Sequence, residues 1–243
     1  MKYKLKYKRF SETSILIEWP QKIEKSILDD ILVFKEKIEQ SDLFSNGFIN
    51  HAYASLLLNF NDAVFDFALK IEELNGLYKQ PNIKNNLNSR LWRIPVCYDK
   101  RFGIDLDDIS KGKNIEIEEL VKRHTTPVYT IFFIGFLPGF LYLGGLDTSL
   151  FVPRRAVPRL KIPSGSVAIG GQQTGIYPSE SPGGWHIIGN SPINFFDVSK
   201  EEPCFSRSGD RLQFYAISLK EYNDIKTLVA AGVYQLKSEI IND

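Results

Sequence analysis

The sequence is short of most groups that carry self-contained catalysis. In 243 residues it has two cysteines, Cys97 and Cys204, and three histidines, His51, His124 and His186. The cysteines form no CxxC pair, which argues against a disulfide framework or a thiolate zinc site; they read as reduced thiols of a cytoplasmic protein. The histidines show no metal-ligand spacing. No GxxxxGK[ST] is present: Gly112-Lys113 is followed by Asn114, and the glycine-rich run 165–175 lacks lysine. No GxSxG is present either. These absences argue against a self-contained P-loop ATPase, serine hydrolase or zinc enzyme. Charge of one sign is also lacking: 30 Lys+Arg face 29 Asp+Glu, a net of +1, which is not the balance of a nucleic-acid binder. The start, MKYKLKYKRFSE, has no apolar stretch and does not read as a signal peptide. No internal repeat or low-complexity tract is visible.

Thr125 to Leu146 lacks any charged side chain and is long enough to span a bilayer. Pro127, Gly135, Pro138, Gly139, Gly144 and Gly145 interrupt it, and Val128, Thr130, Ile131 and Ile134 favour strand, so buried strands are expected and no membrane association.

What is there is globular: 43% of residues are hydrophobic, and a folded chain of this mass buries about 70% of its unfolded surface. Residues 3–9 and 13–19 alternate or run apolar and predict a β-hairpin. Ile23, Ile27, Ile31, Phe34 and Ile38 recur at steps of three and four, which predicts a helix over 23–40. Strands are expected over 47–53 and 55–60. Asn61-Asp62 then reads as the cap of a helix over 62–75, ended by Gly76, with Val64, Phe65, Ala68, Leu69 and Leu74 facing inward. This order suits a ferredoxin-like α/β layer over residues 1–85. The amide-rich run 79–90 reads as a linker.

A second domain is expected over 90–235. Leu91–Val96 predicts a strand, with Pro95 at an edge or a boundary. Asp105–Ser110 predicts a short helix. Another should start at Asn114 as N-cap, with Glu116, Glu118 and Glu119 early and Lys122, Arg123 and His124 late; that order complements the helix dipole and makes His124 a C-terminal partner of it. From Pro127 to Ala216 short strands and Gly/Pro turns predict a sandwich or barrel, with a closing helix over 220–231. The fold class is α+β.

Three features could carry chemistry. Arg154, Arg155, Arg159 and Lys161 fall between prolines at 153, 158 and 163, which stiffen the loop; arginine forks suit carboxylate or phosphate. The plainer reading is a solvated loop with ion pairs to Asp147, Glu180 or Asp197. Pro178 to His186 offers Gly183-Gly184 as a backbone nest for an anion, Trp185 as a flat wall and His186 as a proton carrier; alternatively it is a tight turn with Trp185 in the core. The glycine-rich stretch 165–177 could orient a polar ligand through Gln172, Thr174 and Tyr177, or could simply be a hairpin.

FIGFLPGFLYLGGLD (133–147), FVPRRAVPRLKIPSGSVAIGG (151–171) and TGIYPSESPGGWHIIG (174–189) closely resemble the family of 5-oxoprolinase B-type subunits (PxpB), also called KipI-like or allophanate hydrolase subunit 1. IPVCYDKRFGIDLDDIS (94–110) extends the match. The resemblance implies a cyclophilin-like β-barrel after the N-terminal layer. It also implies work with C-type (PxpC-like) and A-type (LamB/YcsF-like) subunits, hydrolysing 5-oxoproline to glutamate with ATP and Mg. On that basis His186 and His124 are candidate proton carriers. Arg154, Arg155, Arg159, Lys161, Ser164, Gly165, Gln172, Tyr177, Gly183 and Gly184 are candidate substrate or phosphate contacts. The alternative from the same family is an inhibitor that binds a sensor histidine kinase.

Overall fold

The computed structural model describes residues 2–44, 46–61, 65–81 and 89–241. The chain divides into two units, Met1–Leu87 and Asn88–Asp243. In the first, β1 (Lys6–Ser11) and β2 (Ser14–Glu18) form the expected hairpin. They are followed by α1 (Lys25–Glu39), β3 (Gly47–His51), β4 (Ser55–Phe60) and α2 (Phe67–Lys79). The antiparallel sheet runs β1-β2-β4-β3. Period-two alternation turns Ile15, Ile17, Leu56, Leu58 and Phe60 to one face. There they meet the 3.6-period stripe of α1 (Ile27, Ile31, Phe34, Ile38) and Leu74 and Tyr78 of α2.

The second helix begins later than its pattern suggests. Asp66 caps it, accepting from the N–H groups of Ala68 and Leu69 at 2.9 and 3.1 Å. With the start shifted, Ala68 and Leu69 point outward, and Leu69 is 56% exposed. Gly76 lies inside the helix instead of ending it. Asp62, Val64 and most of the expected linker, 82–88, lie outside the described residues.

The second unit is β5 (Ser89–Val96), α3 (Leu106–Lys113), α4 (Ile117–Thr125), β6 (Tyr129–Ile134), β7 (Leu141–Gly144), β8 (Arg159–Ile162), β9 (Ser166–Gly170), β10 (Gln173–Ile176), β11 (Ser181–Gly183), β12 (His186–Asn190), β13 (Arg211–Ala216), α5 (Leu219–Ala230) and β14 (Ser238–Ile241). Asn114 closes α3 in the left-handed region, φ 53°, instead of opening α4, which Glu116 precedes. An amide side chain tolerates that conformation, so the same residue type that caps a start also serves at an end.

Eight strands form a mixed sheet in the order β12-β9-β10-β7-β6-β13-β5-β14, with β13 and β5 parallel. The apolar run 125–146 becomes the end of α4, β6 and β7; among the described residues no helix is long and apolar enough to cross a membrane. Alternate residues of neighbouring strands, among them Ile94, Val96, Ile131, Leu141, Leu143, Val167, Ile169, Leu212 and Phe214, fill one core. A bridge between Cys97 and Asn190, with N–H···O bonds of 2.9 and 3.0 Å, joins the end of β5 to β12. The sheet therefore curls back on itself, but no continuous ladder closes it among the described residues, so the expected barrel is an open, mixed sheet. β14, which the sequence pattern did not suggest, pairs with Ser89–Trp92 only. Pro95 sits beyond its reach, so the missing N–H faces no partner strand there.

The far side of β9 and β12 carries a second cluster: Phe140, Ile162, Ala168, Tyr177, Trp185 and Ile187. It lies beside the β8–β11 ladder, which supplies Ile162. This explains why β9 is buried along its whole length: Val167 and Ile169 serve the main core and Ala168 the second.

Asp210, 2% exposed, accepts from the N–H groups of Arg90 (3.0 Å) and Arg207 (3.1 Å) and from the Trp92 indole (2.9 Å). One carboxylate thus ties the start of β5 to the turn before β13. Asp210→Ala leaves these donors unmatched and should cost about 3 kcal/mol in urea denaturation. A loss below about 0.5 kcal/mol would show that the carboxylate does not hold the strands together.

Candidate anion-binding site

Two of the loop arginines already hold a carboxylate, and it is none of the three suggested by the sequence. Asp105, 1% exposed, precedes α3 in the N-cap position but makes no side-chain cap bond. Its oxygens instead accept from Arg159 Nη1 (2.8 Å) and Nη2 (2.7 Å), Arg155 Nη1 (3.3 Å) and the Ile187 N–H (2.6 Å). The Asp105 N–H donates to Ile187 O at 3.0 Å. The Arg159 fork is bidentate, the geometry that planar guanidinium and carboxylate favour. Arg155 donates its backbone N–H to Gly184 O at 2.8 Å, and its Nε is buried with no partner among the described residues. Asp105 was legible as the start of a helix but not as the counter-ion. The one hint was an acid set between the apolar residues Ile104 and Leu106.

The remaining cations differ. Lys161 pairs with Glu180 at 3.2 Å, both exposed, which is worth little. Arg154 is exposed and has no acidic partner among the described residues; its guanidinium lies 5.8 Å from the centroid of the Trp185 ring. Trp185 itself is 4% exposed and packs edge-on to Phe140, so the cation rests on a fixed wall.

Gly183 and Gly184 do not form a nest. Neither has positive φ, which the alternating-handed backbone of a nest requires. Gly183 is small for a packing reason: a Cβ there would lie 2.3 Å from Tyr177 Oη. Tyr177 is in the second cluster, edge-on to Phe140 at 5.2 Å. Ser164 Oγ donates to Pro178 O (2.8 Å), and Gly165, at φ +79°, donates its N–H to Tyr177 O (2.7 Å), so both brace the turn after β8. Gln172 is exposed at the β9–β10 hairpin. The structure thus brings Arg154, Arg155, Arg159, Gly184 and His186 together and leaves Gln172 at the hairpin.

His186 Nε2 lies 3.0 Å from Pro153 O, and its Nδ1 is buried without a partner among the described residues. His124 is different. It is fully buried at the end of α4, stacked on Phe214 at 4.6 Å. Nδ1 lies 2.7 Å from Tyr98 Oη and Nε2 2.9 Å from Thr174 Oγ1, while Thr174 Oγ1 donates to Ala168 O at 3.0 Å. Burial pushes the ring's pKa down to about 3. His124 is a neutral core residue, not a charged dipole partner, and Thr174 is its hydrogen-bond neighbour, not a ligand contact. Among the described residues, no group of three or more His, Cys, Asp or Glu is arranged to hold a metal.

Against known proteins, a family model described as carboxyltransferase domain, subdomain C and D, matches residues 5–206. A protein of Bacillus subtilis named as the B-type subunit of 5-oxoprolinase is 42% identical over 140 residues, 58% of this chain and 58% of that protein. A Haemophilus influenzae protein of the same name is 41% identical over 155 residues, 64% of this chain and 72% of that one. The match thus spans little more than half the length of the first relative. Among solved structures, TTHA0988 superposes with a TM-score of 0.72 at 28% identity, over 84% of this chain and 40% of that one.

Asp105→Ala leaves two partly buried guanidinium groups and the Ile187 N–H unmatched and should cost about 3 kcal/mol, read by urea denaturation; an unchanged midpoint would remove Asp105 as the organising group. His124 gives a pH signature. Its folded pKa is below the unfolded one, so the unfolded state binds more protons between about pH 3 and the ordinary histidine value near 6.5. Its contribution to stability is complete above about pH 6.5 and falls by up to about 1.4 kcal/mol per pH unit toward pH 3. His124→Gln should flatten the acid limb of a stability profile; an identical slope in both proteins would assign that limb to other groups.

Proposed function

The chain belongs to the family described as carboxyltransferase domain, subdomain C and D, and on that premise we propose that it is the B-type subunit of an ATP-dependent 5-oxoprolinase. The reaction converts 5-oxoproline, ATP and water into glutamate, ADP and phosphate. The observation that carries this reading is the 41–42% identity to two proteins named as that subunit. The histidine-kinase alternative draws no support from those names.

The chemistry suits the site. A lactam is a poor electrophile, and phosphorylation of its oxygen makes a carbon that water can attack. Such a reaction asks for positioned cations and donors more than for a nucleophile. Arg154 offers a cation that no acid among the described residues neutralises, on a rigid aromatic wall. Arg155 and Arg159 hold that wall's strand in place through Asp105. Nothing in the sequence resembles a phosphate loop, and no set of magnesium ligands stands among the described residues, so the nucleotide and its metal are assigned to a surface completed by the C-type and A-type partners. His186 remains the candidate proton carrier. In the same reading, residues 1–85 are a ferredoxin-like domain: the order β1-β2-β4-β3 with the helices on one face is that fold with its last strand moved to the front. Residues 90–235 are the cyclophilin-like domain, its open sheet curled so that the Cys97–Asn190 bridge joins the end of β5 to β12.

Co-expression with candidate C-type and A-type partners, followed by measurement of 5-oxoproline-dependent ADP release, tests the proposal. The assembled complex should turn over only with both ATP and 5-oxoproline, and the isolated chain should be inactive. A complex indifferent to 5-oxoproline, or full activity of the chain alone, would overturn it.

A further inference from the structure

The strand register decides which side chains stand beside the second cluster. Tyr142 of β7 lies opposite Gly175 of β10, and Gly175 lies opposite Ala168 of β9. Residues directly opposite share a face, so these three form one row, on the side where Ala168 meets Phe140, Tyr177 and Trp185. Gln173, two residues before Gly175, lies opposite Gly170 and belongs to the next row of that face. Tyr142 and Gln173 are therefore diagonal neighbours, about 7–8 Å apart along the backbone. Trp185 covers Gly170: a Cβ there would lie 2.4 Å from the indole Cδ1.

Three polar groups thus surround one indole. The Arg154 guanidinium lies 5.8 Å from its centroid, Tyr142 meets it edge-on at 6.0 Å, and Gln173 stands across from the glycine it covers. Burial raises the pKa of the Tyr142 hydroxyl and the Arg154 charge acts against that rise, so phenol and guanidinium are within electrostatic reach of each other. Phe133, stacked on Tyr142 at 4.1 Å, fixes the plane of that ring. Arg154 is exposed, and Tyr142 and Gln173 are half-buried, so none of the three is sealed in the core. The sequence pattern pointed instead to Gln172 and Tyr177. Gln172 falls in the turn before β10, and alternation along that strand puts its neighbour on the ring face.

We propose that Arg154, Tyr142 and Gln173 form a receptor for a small acid that carries a lactam: Arg154 and the Tyr142 hydroxyl take the carboxylate, and the Gln173 amide pairs with the lactam edge. A small ring holds its amide cis, so N–H and C=O stand side by side; a glutamine amide presents the complementary acceptor and donor side by side. An open-chain peptide bond is trans and turns its N–H and C=O to opposite sides, so it makes one of the two bonds only. Resting on the proposed 5-oxoprolinase role, this assigns the carboxylate of 5-oxoproline to Arg154 and Tyr142 and its lactam to Gln173. The lactam oxygen has two lone pairs; Gln173 occupies one and leaves the other for phosphorylation. Phosphate alone would match the cation and leave the amide unused. Arg155 and Arg159 act as positioning residues through Asp105.

In the assembled complex Gln173→Met, which keeps the length and loses the amide, should raise KM for 5-oxoproline about tenfold and leave KM for ATP unchanged. Arg154→Gln and Tyr142→Phe should do the same, with partial recovery in Arg154→Lys. Two competitive inhibitors separate these contacts from a general loss of structure. The lactone analogue keeps the carboxylate and lacks the N–H; the unsubstituted lactam lacks the carboxylate. Each should bind the wild-type complex at least about tenfold more weakly than 5-oxoproline. Gln173→Met should weaken the unsubstituted lactam, whereas Arg154→Gln and Tyr142→Phe should leave it unchanged and weaken the lactone. Unchanged KM for 5-oxoproline in both Gln173→Met and Arg154→Gln, or losses that fall equally on both inhibitors in every variant, would overturn the receptor and leave the 5-oxoprolinase role intact. A complex that does not act on 5-oxoproline overturns both.

Discussion

A carboxylate that is 1% exposed has lost nearly all of its water, and in a protein such a group persists only when donors replace the lost hydration. Asp105 receives four: both ends of the Arg159 fork, one nitrogen of Arg155 and the backbone N–H of Ile187. Those donors come from β8, from the loop before it and from β12, while Asp105 itself begins α3. Separate pieces of the second unit therefore share a single anion. The covalent chain fixes none of these distances; the electrostatic demand of the carboxylate does.

That arrangement divides the basic loop by role. Two guanidinium groups share one carboxylate, Lys161 has a solvent-exposed partner, and Arg154 has a π-face in place of an acid. The local excess of positive charge is thus divided between the Arg155–Asp105–Arg159 group, whose arginines are held, and Arg154, the side chain with the weakest tether. A loop in which every cation was free would swing and screen itself in water, and one in which every cation was paired would attract nothing. The mixture gives a fixed frame and one reaching arm.

What the sequence made legible was whatever depends on neighbours in the chain. The β1–β2 hairpin and α1 follow from periods of two and 3.6, and the strand-and-turn character of 127–216 follows from its glycines and prolines. Cap positions were misread where several capping residues crowd together: Asn61-Asp62 stood before Asp66, and Asn114 before Glu116, and only packing chooses between them. β14 was missed because four residues at the edge of a sheet, SEII, carry almost no pattern of their own. The counter-ion of the arginines was missed for a deeper reason. Asp105 is about 50 residues from Arg155 and Arg159, and only its two apolar neighbours set it apart locally from Asp107 and Asp108, which lie on the next turn.

The two histidines of the second unit show how polarity can be read from where a hydrogen-bond chain ends. Thr174 must donate to Ala168 O, so it accepts from His124 Nε2–H, and His124 Nδ1 accepts from Tyr98. Every donor and acceptor in that chain is used, the ring is sealed in the core, and low pH can only break the arrangement. His186 starts from the same rule, with Nε2 pointing at Pro153 O, but its chain stops at Nδ1. A satisfied chain needs no ligand to account for its residues. The His186 chain is left open at one nitrogen among the described residues, and it is this difference in closure, not the histidine itself, that separates the two rings.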